Sequence, residues 1–202
     1  MTNYITALKT AKPVAFGGFS ELFIIDGKAV KVLADGCYQD VLQECLMQKQ
    51  AADAGLAPQV YSVFEMADDV VVVMDAIDTD VWFQADSLDD VAPTLLGELP
   101  QDEMIKGVKL YAKLLQAGIV HADYHTGNWF MNEAGEAIAI DFGIASTLGT
   151  ASDIHLKRAV QFLLPCLQRM GEDLLADDLI TAYGIDAQAI RDSLEFIADE
   201  IA

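Results

Sequence analysis

His121-Ala122-Asp123-Tyr124-His125-Thr126-Gly127-Asn128, followed by Ile140-Asp141-Phe142-Gly143, places two carboxylates and one carboxamide beside breaks in the chain. Asp123 falls in a loop after the apolar run 114–120, and Asn128 opens the next apolar run. Asp141 ends a short strand over 137–140 and precedes a Gly-containing turn. Residues 129–131 and 137–140 read as two strands joined by Asn132-Glu133-Ala134-Gly135-Glu136, a hairpin with Gly in its loop. A hairpin brings its ends together. Asn128 and Asp141 are therefore expected side by side, with Asp123 close by.

Three oxygen-bearing side chains at one point suit a hard cation such as Mg²⁺, which prefers oxygen ligands and keeps some of its waters. One carboxylate is left over to act as a base. The pattern His121-x-Asp123-x-x-x-x-Asn128, then Asp141-Phe142-Gly143, resembles the catalytic loop and Mg-binding motif of the protein-kinase superfamily. The resemblance implies an α+β, bilobal fold: a small antiparallel sheet with one helix (about 1–75), a hinge (about 74–78) and a shortened, mainly helical lobe (about 79–202). It also implies ATP as a cofactor with Mg²⁺ or Mn²⁺, Asn128 and Asp141 as metal ligands, and Asp123 as catalytic base.

The residues upstream extend the resemblance. Asp26-Gly27 between two β-rich runs is a strong hairpin signal, and a two-residue loop pairs Ile25 with Lys28, Ile24 with Ala29 and Leu22 with Lys31. Side chains alternate along a strand, so Leu22, Ala29 and Lys31 share a face, an apolar floor bearing one amine. Such a floor suits a nucleotide: Leu22 and Ala29 cover the base while Lys31 reaches the phosphates. Ala29-Val30-Lys31-Val32 resembles the V-A-I-K strand of kinases, and Gly17-Gly18-Phe19-Ser20 a reduced glycine-rich loop with Ser20 in place of the last Gly. Apolar residues at Val41, Leu42, Cys45 and Leu46 predict a helix over 40–54. By the resemblance its Glu44 pairs with Lys31. Met74-Asp75-Ala76-Ile77 is similar to a kinase hinge, which implies Met74 beside the adenine and the backbone of Asp75 and Ile77 at the base edge.

The remaining segments read more simply. The first 14 residues form a strand or a lead-in, 60–64 and 70–74 a second hairpin, and 78–100 an acidic irregular stretch anchored by Trp82-Phe83. Apolar positions from Met104 to Leu115 predict a core helix over 101–117. Ser152-Asp153 caps a helix expected to stop at Pro165, and helical patterns occupy 171–183 and 186–201. Asp153 resembles the helix-F aspartate that supports the catalytic loop; a plain helix cap is the other reading. The A-P-E segment of larger kinases is absent.

Composition narrows the partners. Thirty-two acidic against 12 basic residues give a net charge of −20, and 50–105 contains no Lys or Arg. That argues against nucleic acid and anionic membrane, both of which need positive charge. A solubility-conferring surface is favoured over one that attracts a basic partner. The longest apolar run, 70–74, is strand-length, so no membrane span is expected. Three cysteines without metal-ligand spacing read as reduced thiols, and residues 1–10 lack a signal-peptide layout. The expectation is a cytoplasmic protein.

Function at this level is phosphotransfer, foremost by a minimal Ser/Thr protein kinase acting on a protein substrate. The chain resembles the shortened kinases that pathogens inject as effectors, which would act in a host cytosol, and the small atypical kinases of bacteria and archaea. His125 stands where protein kinases carry a Lys. It is similar to the second His of aminoglycoside and choline phosphotransferases, so it either contacts the transferred phosphoryl group or shapes the loop. A small-molecule kinase is therefore the alternative, and an interaction module on the same fold the third reading. Ala122 replaces the Arg of many regulated kinases, which implies a site competent without activation-loop phosphorylation.

Overall fold

The computed structural model describes residues 4–84 and 99–202, so most of the acidic irregular stretch lies outside the described residues. The chain opens with α1 (Tyr4–Leu8), β1 (Ala15–Phe16), β2 (Ser20–Ile25), β3 (Lys28–Leu33), α2 (Tyr38–Asp53), β4 (Val60–Met66) and β5 (Asp69–Asp75). It continues through β6 (Trp82–Gln84), α3 (Gln101–Gln116), β7 (Ile119–Val120), β8 (Trp129–Asn132), β9 (Ala137–Ala139) and β10 (Ser146–Thr147). Three helices complete it: α4 (Asp153–Met170), α5 (Asp173–Tyr183) and α6 (Ala187–Ile201). A five-stranded antiparallel sheet of order β1-β2-β3-β5-β4 and a mainly helical remainder make the bilobal kinase-like fold.

The β2–β3 register is the expected one, with Ile25 opposite Lys28, Ile24 opposite Ala29 and Leu22 opposite Lys31. Asp26 (φ 51°) and Gly27 (φ 73°) both take the left-handed region, as a two-residue hairpin whose twist matches its strands requires. Alternation then sorts the sheet. Phe23, Ile25, Val30, Val71 and Val73 form one buried face, while Val70 and Val72 pack on Val41 and Cys45 of α2 on the other.

The first face holds a correction. The opening residues were expected as a strand or lead-in, but Tyr4, Ala7, Leu8 and Ala11 pack on Phe23 and its neighbours as a short helix and its exit. Their spacing is i, i+3, i+4, i+7, a helical stripe that needs the sheet to bury it. Likewise, α2 buries Val41, Cys45, Met47, Gln48 and Ala51, whereas Leu46 of the expected face is half exposed. Gln48 is satisfied inside by donating to the Pro58 carbonyl at 2.9 Å.

The second core lies among α3, α4, α5 and α6. Leu156, Val160, Leu163 and Leu167 form one buried stripe of α4, and this explains why the helix does not stop at Pro165. An internal Pro costs roughly 3 kcal/mol. Continuing the stripe buries Cys166 and Leu167, and each fully buried aliphatic side chain contributes about 1.5–3 kcal/mol. The helix ends instead at Gly171 (φ 79°), where the Glu172 N–H bonds the Leu167 carbonyl. Among the described residues no helix is long and apolar enough to cross a membrane.

Candidate active site

Lys31 leaves β3 on the face that looks toward α2, and Glu44 leaves α2 toward it. The ammonium Nζ donates to Glu44 Oε1 at 2.9 Å and lies 3.7 Å from Asp141 Oδ1. Burial works to discharge Lys31, but the Glu44 and Asp141 carboxylates outweigh it and raise its pKa above the usual lysine value. The amine is therefore a fixed positive charge at neutral pH. Glu44 is only 12% exposed, so the expected pairing is made on a partly desolvated surface.

Asp141 sits at φ 59°, a left-handed conformation that costs a non-Gly residue of order 1–3 kcal/mol. Two neighbours hold it there: the Ile140 N–H bonds the Asn128 carbonyl at 2.9 Å, and the Phe142 ring is fully buried. The strain turns the carboxylate toward Lys31. A Cβ built on Gly143 would stand 3.5 Å from Asp141 Oδ1 and 3.7 Å from Glu44 Oε2, so this turn lies against both acids.

The loop carrying Asp123 is anchored from beneath. His121 Nε2 donates to the Ile140 carbonyl at 2.9 Å, tying this loop to the Asp141 turn, and its ring meets Phe142 and Tyr124 edge-on. Tyr124 is completely buried; it packs on Tyr111, Trp129 and Phe162 and donates its hydroxyl to the Gly107 carbonyl at 2.9 Å. Neighbouring side chains therefore alternate: His121 and Tyr124 point inward, while the Asp123 carboxylate is half exposed.

Asn128 is buried at the end of a 3-10 turn. Its Nδ2 donates to the Asp123 carbonyl at 2.9 Å and approaches Asp123 Oδ2 at 3.5 Å, which leaves Oδ1 as an uncommitted oxygen acceptor. Since β8 and β9 pair Trp129 with Ala139, Asn128 and Asp141 occupy the two legs of one hairpin base, as its geometry requires. His125 caps the turn, its Nδ1 accepting from the Gly127 N–H at 3.1 Å. A neutral ring then carries its proton on Nε2, 3.9 Å from Asp123 Oδ2.

The floor expected to take a nucleotide is arranged as the strand register dictates, with Leu22, Lys31 and Val72 side by side across β2, β3 and β5, and Ala29 beside Met74. The Asp75 N–H is committed to the Gln59 carbonyl, so at that residue only the carbonyl could meet a base edge; Ile77 follows half-buried. In the glycine loop the Gly17 N–H is spent on the Ser20 carbonyl at 2.7 Å. Gly18 is exposed with open space around it, and Phe19 at the tip is 86% exposed. The loop is a tight turn in which the amides past Gly17 are the ones that could face a phosphate.

One expected contact is not made. Asp153 follows the Ser152 cap and pairs with Lys157 at 2.6 Å on the exposed side of α4, away from the loop. The support comes from Arg158, whose Nη1 donates to the Ala122 carbonyl at 3.3 Å. That role was not legible, because a contact across 36 residues leaves no spacing to read. Tyr124 was missed as well, although a Tyr flanked by two polar loop residues is a signal for an inward-turned anchor.

Burial pulls the His121 pKa below the ordinary histidine value of 6.5, against the opposing pull of the Ile140 carbonyl and of Asp141 and Asp123. The folded chain thus refuses a proton that the unfolded chain accepts. This stabilisation is present above about pH 6.5 and lost as pH falls toward the lowered value, by at most about 1.4 kcal/mol per pH unit. Urea midpoints at pH 7.5 and 5.5 should show that decline in the wild type and a flatter response in His121→Gln; equal slopes would remove His121 as the cause.

Among the described residues no group of three or more His, Cys, Asp or Glu side chains could hold an ion unaided. The donor set at the hairpin base nonetheless fits Mg²⁺: the Asp141 carboxylate and the uncommitted Asn128 Oδ1 are both hard oxygen donors, and this cation completes its shell with phosphate and water. Burial pushes the thiols of Cys45 and Cys166 up to about 11, so neither is a nucleophile at neutral pH.

The family model of the ABC1 atypical kinase-like domain matches residues 56–165, more than half of the 202-residue chain. The match spans Met74, Asp75, Ile77, Asp123, Asn128 and Asp141, and begins after Lys31 and Glu44. No curated protein matches the chain.

Proposed function

This chain belongs to the ABC1 atypical kinase-like family, and we propose that it is an ATP- and Mg²⁺-dependent phosphotransferase whose acceptor is a protein Ser or Thr hydroxyl. The observation that carries the reading is the convergence of a charged Lys31 with Glu44 and Asp141, beside the loop that presents Asp123 and Asn128. Phosphoryl transfer asks a protein mainly for positioning and for charge placed where the phosphates lie. Lys31, held by Glu44, contacts the α- and β-phosphates. Asp141 and Asn128 Oδ1 hold Mg²⁺, which when bound offsets phosphate charge in a chain whose net charge is −20. Asp123 takes the acceptor proton as the oxygen–phosphorus bond forms and the bond from the γ-phosphorus to the bridging oxygen breaks, releasing ADP.

The half-exposed Asp123 favours a bulky acceptor such as a protein side chain, and the acidic surface suits a basic one. His125 favours a second reading, a small-molecule alcohol as acceptor, because its Nε2 stands beside the Asp123 carboxylate. γ-Labelled ATP with Mg²⁺, offered to a protein panel and to an alcohol and aminoglycoside panel, separates the two. Wild type should label protein hydroxyls, and Asp141→Ala should lose roughly 10²-fold or more of that transfer. Label on alcohols alone would establish the second reading, and equal transfer by both proteins would overturn the mechanism.

A further inference from the structure

With 32 acidic residues against 12 basic ones, a lysine in this chain is expected to find a carboxylate. Lys28, Lys31, Lys49 and Lys157 do, at 2.6–2.9 Å. Arg158, Arg169 and Arg191 donate to backbone carbonyls. Among the described residues, Lys9 and Lys12 near the start of the chain do not pair with a carboxylate, and neither do Lys106, Lys109 and Lys113, which differ in being grouped. These last three lie at i, i+3 and i+7 along one face of α3, spanning roughly 10 Å at 1.5 Å per residue. Among the described residues none of the three forms an ion pair.

All three line one cavity of about 890 Å³, and the residues that line it include none of the active-site cluster. Its other walls come from Leu56 before β4, Trp82 of β6 and Ile138 of β9. Glu136 also lines it, its carboxylate accepting from Asn132 Nδ2 at 2.7 Å, so the lining carries three positive charges against one negative. Lys113 has a partial local explanation, since a cation in the last turn suits the helix dipole. Lys106 has Asp102 and Glu103 one turn back on the same helix but forms no ion pair among the described residues, and Lys109 in mid-helix has no such local reason.

We propose that this cleft is a binding site for a small polyanion, a molecule with two or more phosphate, sulfonate or carboxylate groups on an apolar or aromatic body. The size falls within the 300–1,000 Å³ typical of small-molecule sites, the ammonium groups supply the charge complement, and the indole and aliphatic wall receives the body. Size also selects the occupant. A macromolecular polyanion meets the repulsion of the whole −20 surface, whereas a small one inside the cleft is governed by charges within the Debye length of about 8 Å.

The test uses pyranine, a pyrene bearing three sulfonates, titrated into the full chain with its fluorescence anisotropy and the quenching of tryptophan followed together. Saturable binding is expected, weakened about tenfold or more in the Lys109→Gln/Lys113→Gln variant. The Lys9→Gln/Lys12→Gln variant, which removes the same charge elsewhere, should bind as wild type does, and Trp82→Phe should lose most of the quenching. The proposal is overturned by absent saturation, by equal weakening in both double variants, or by lysine-dependent binding of hexaglutamate or phosphatidylserine vesicles in preference to pyranine. Because the assay contains no nucleotide and reads no transfer, its result is independent of the catalytic reading.

Discussion

Asp123→Asn is expected to lower the turnover of phosphoryl transfer by about 10²- to 10⁴-fold, with the thermal midpoint and ATP affinity close to wild type. The substitution is nearly isosteric, so the loop keeps its shape. Asn128 bonds the main-chain carbonyl of Asp123 at 2.9 Å, a contact that does not involve the altered group. What is lost is the carboxylate proposed to receive the acceptor proton. Its side chain is half exposed, so no buried partner is orphaned and stability has little reason to fall. Turnover at saturating ATP, set beside nucleotide titration and melting, separates the effects. A change below about threefold would mean that Asp123 does not handle the proton.

Tyr124→Ala is expected to destabilise the chain by about 3–5 kcal/mol, a loss typical of deleting a buried aromatic ring. Tyr124 is completely buried, and its ring packs on Tyr111, His121, Trp129 and Phe162. It stands between Asp123 and His125, so the void would open directly under the proposed catalytic residues. Tyr124→Phe isolates the hydroxyl. It keeps the ring and removes one hydrogen bond to the Gly107 carbonyl, which still accepts within α3, at about 0.5–1.5 kcal/mol. Chemical denaturation of both variants should rank them in that order; a Phe variant as damaged as the Ala variant would show that the hydrogen bond, not the packing, holds the loop.

Much of this site was legible because it is written in local spacing. Asp26-Gly27 dictated the β2–β3 turn, and the turn dictated the register that puts Lys31 beside Leu22. The five residues from Asp123 to Asn128, and the hairpin from Asn128 to Asp141, brought those groups together for the same reason: short closures admit few geometries. The pairing of Lys31 with Glu44 needed the family resemblance, since a strand and a helix separated by a turn can meet in several ways.

Other features depended on what packs against what. Residues 4–11 carried a helical stripe, but only the outer face of the sheet gives that stripe something to cover. Pro165 is a stop signal in isolation and an internal residue in the fold, since the buried face of α4 continues past it. Asp153 resembled a loop support, yet its position on the helix turns it to solvent and leaves the task to Arg158. The three lysines of α3 line a cleft only because the hairpin and the link before β4 come to stand beside them. The sequence alone therefore determined the turns, the strand register and the chemistry-bearing loop, because these rest on backbone preference and alternation over a few residues. Only the tertiary structure decided which helix faces are buried and which charges lack partners, because desolvation and pairing depend on segments far apart in the chain.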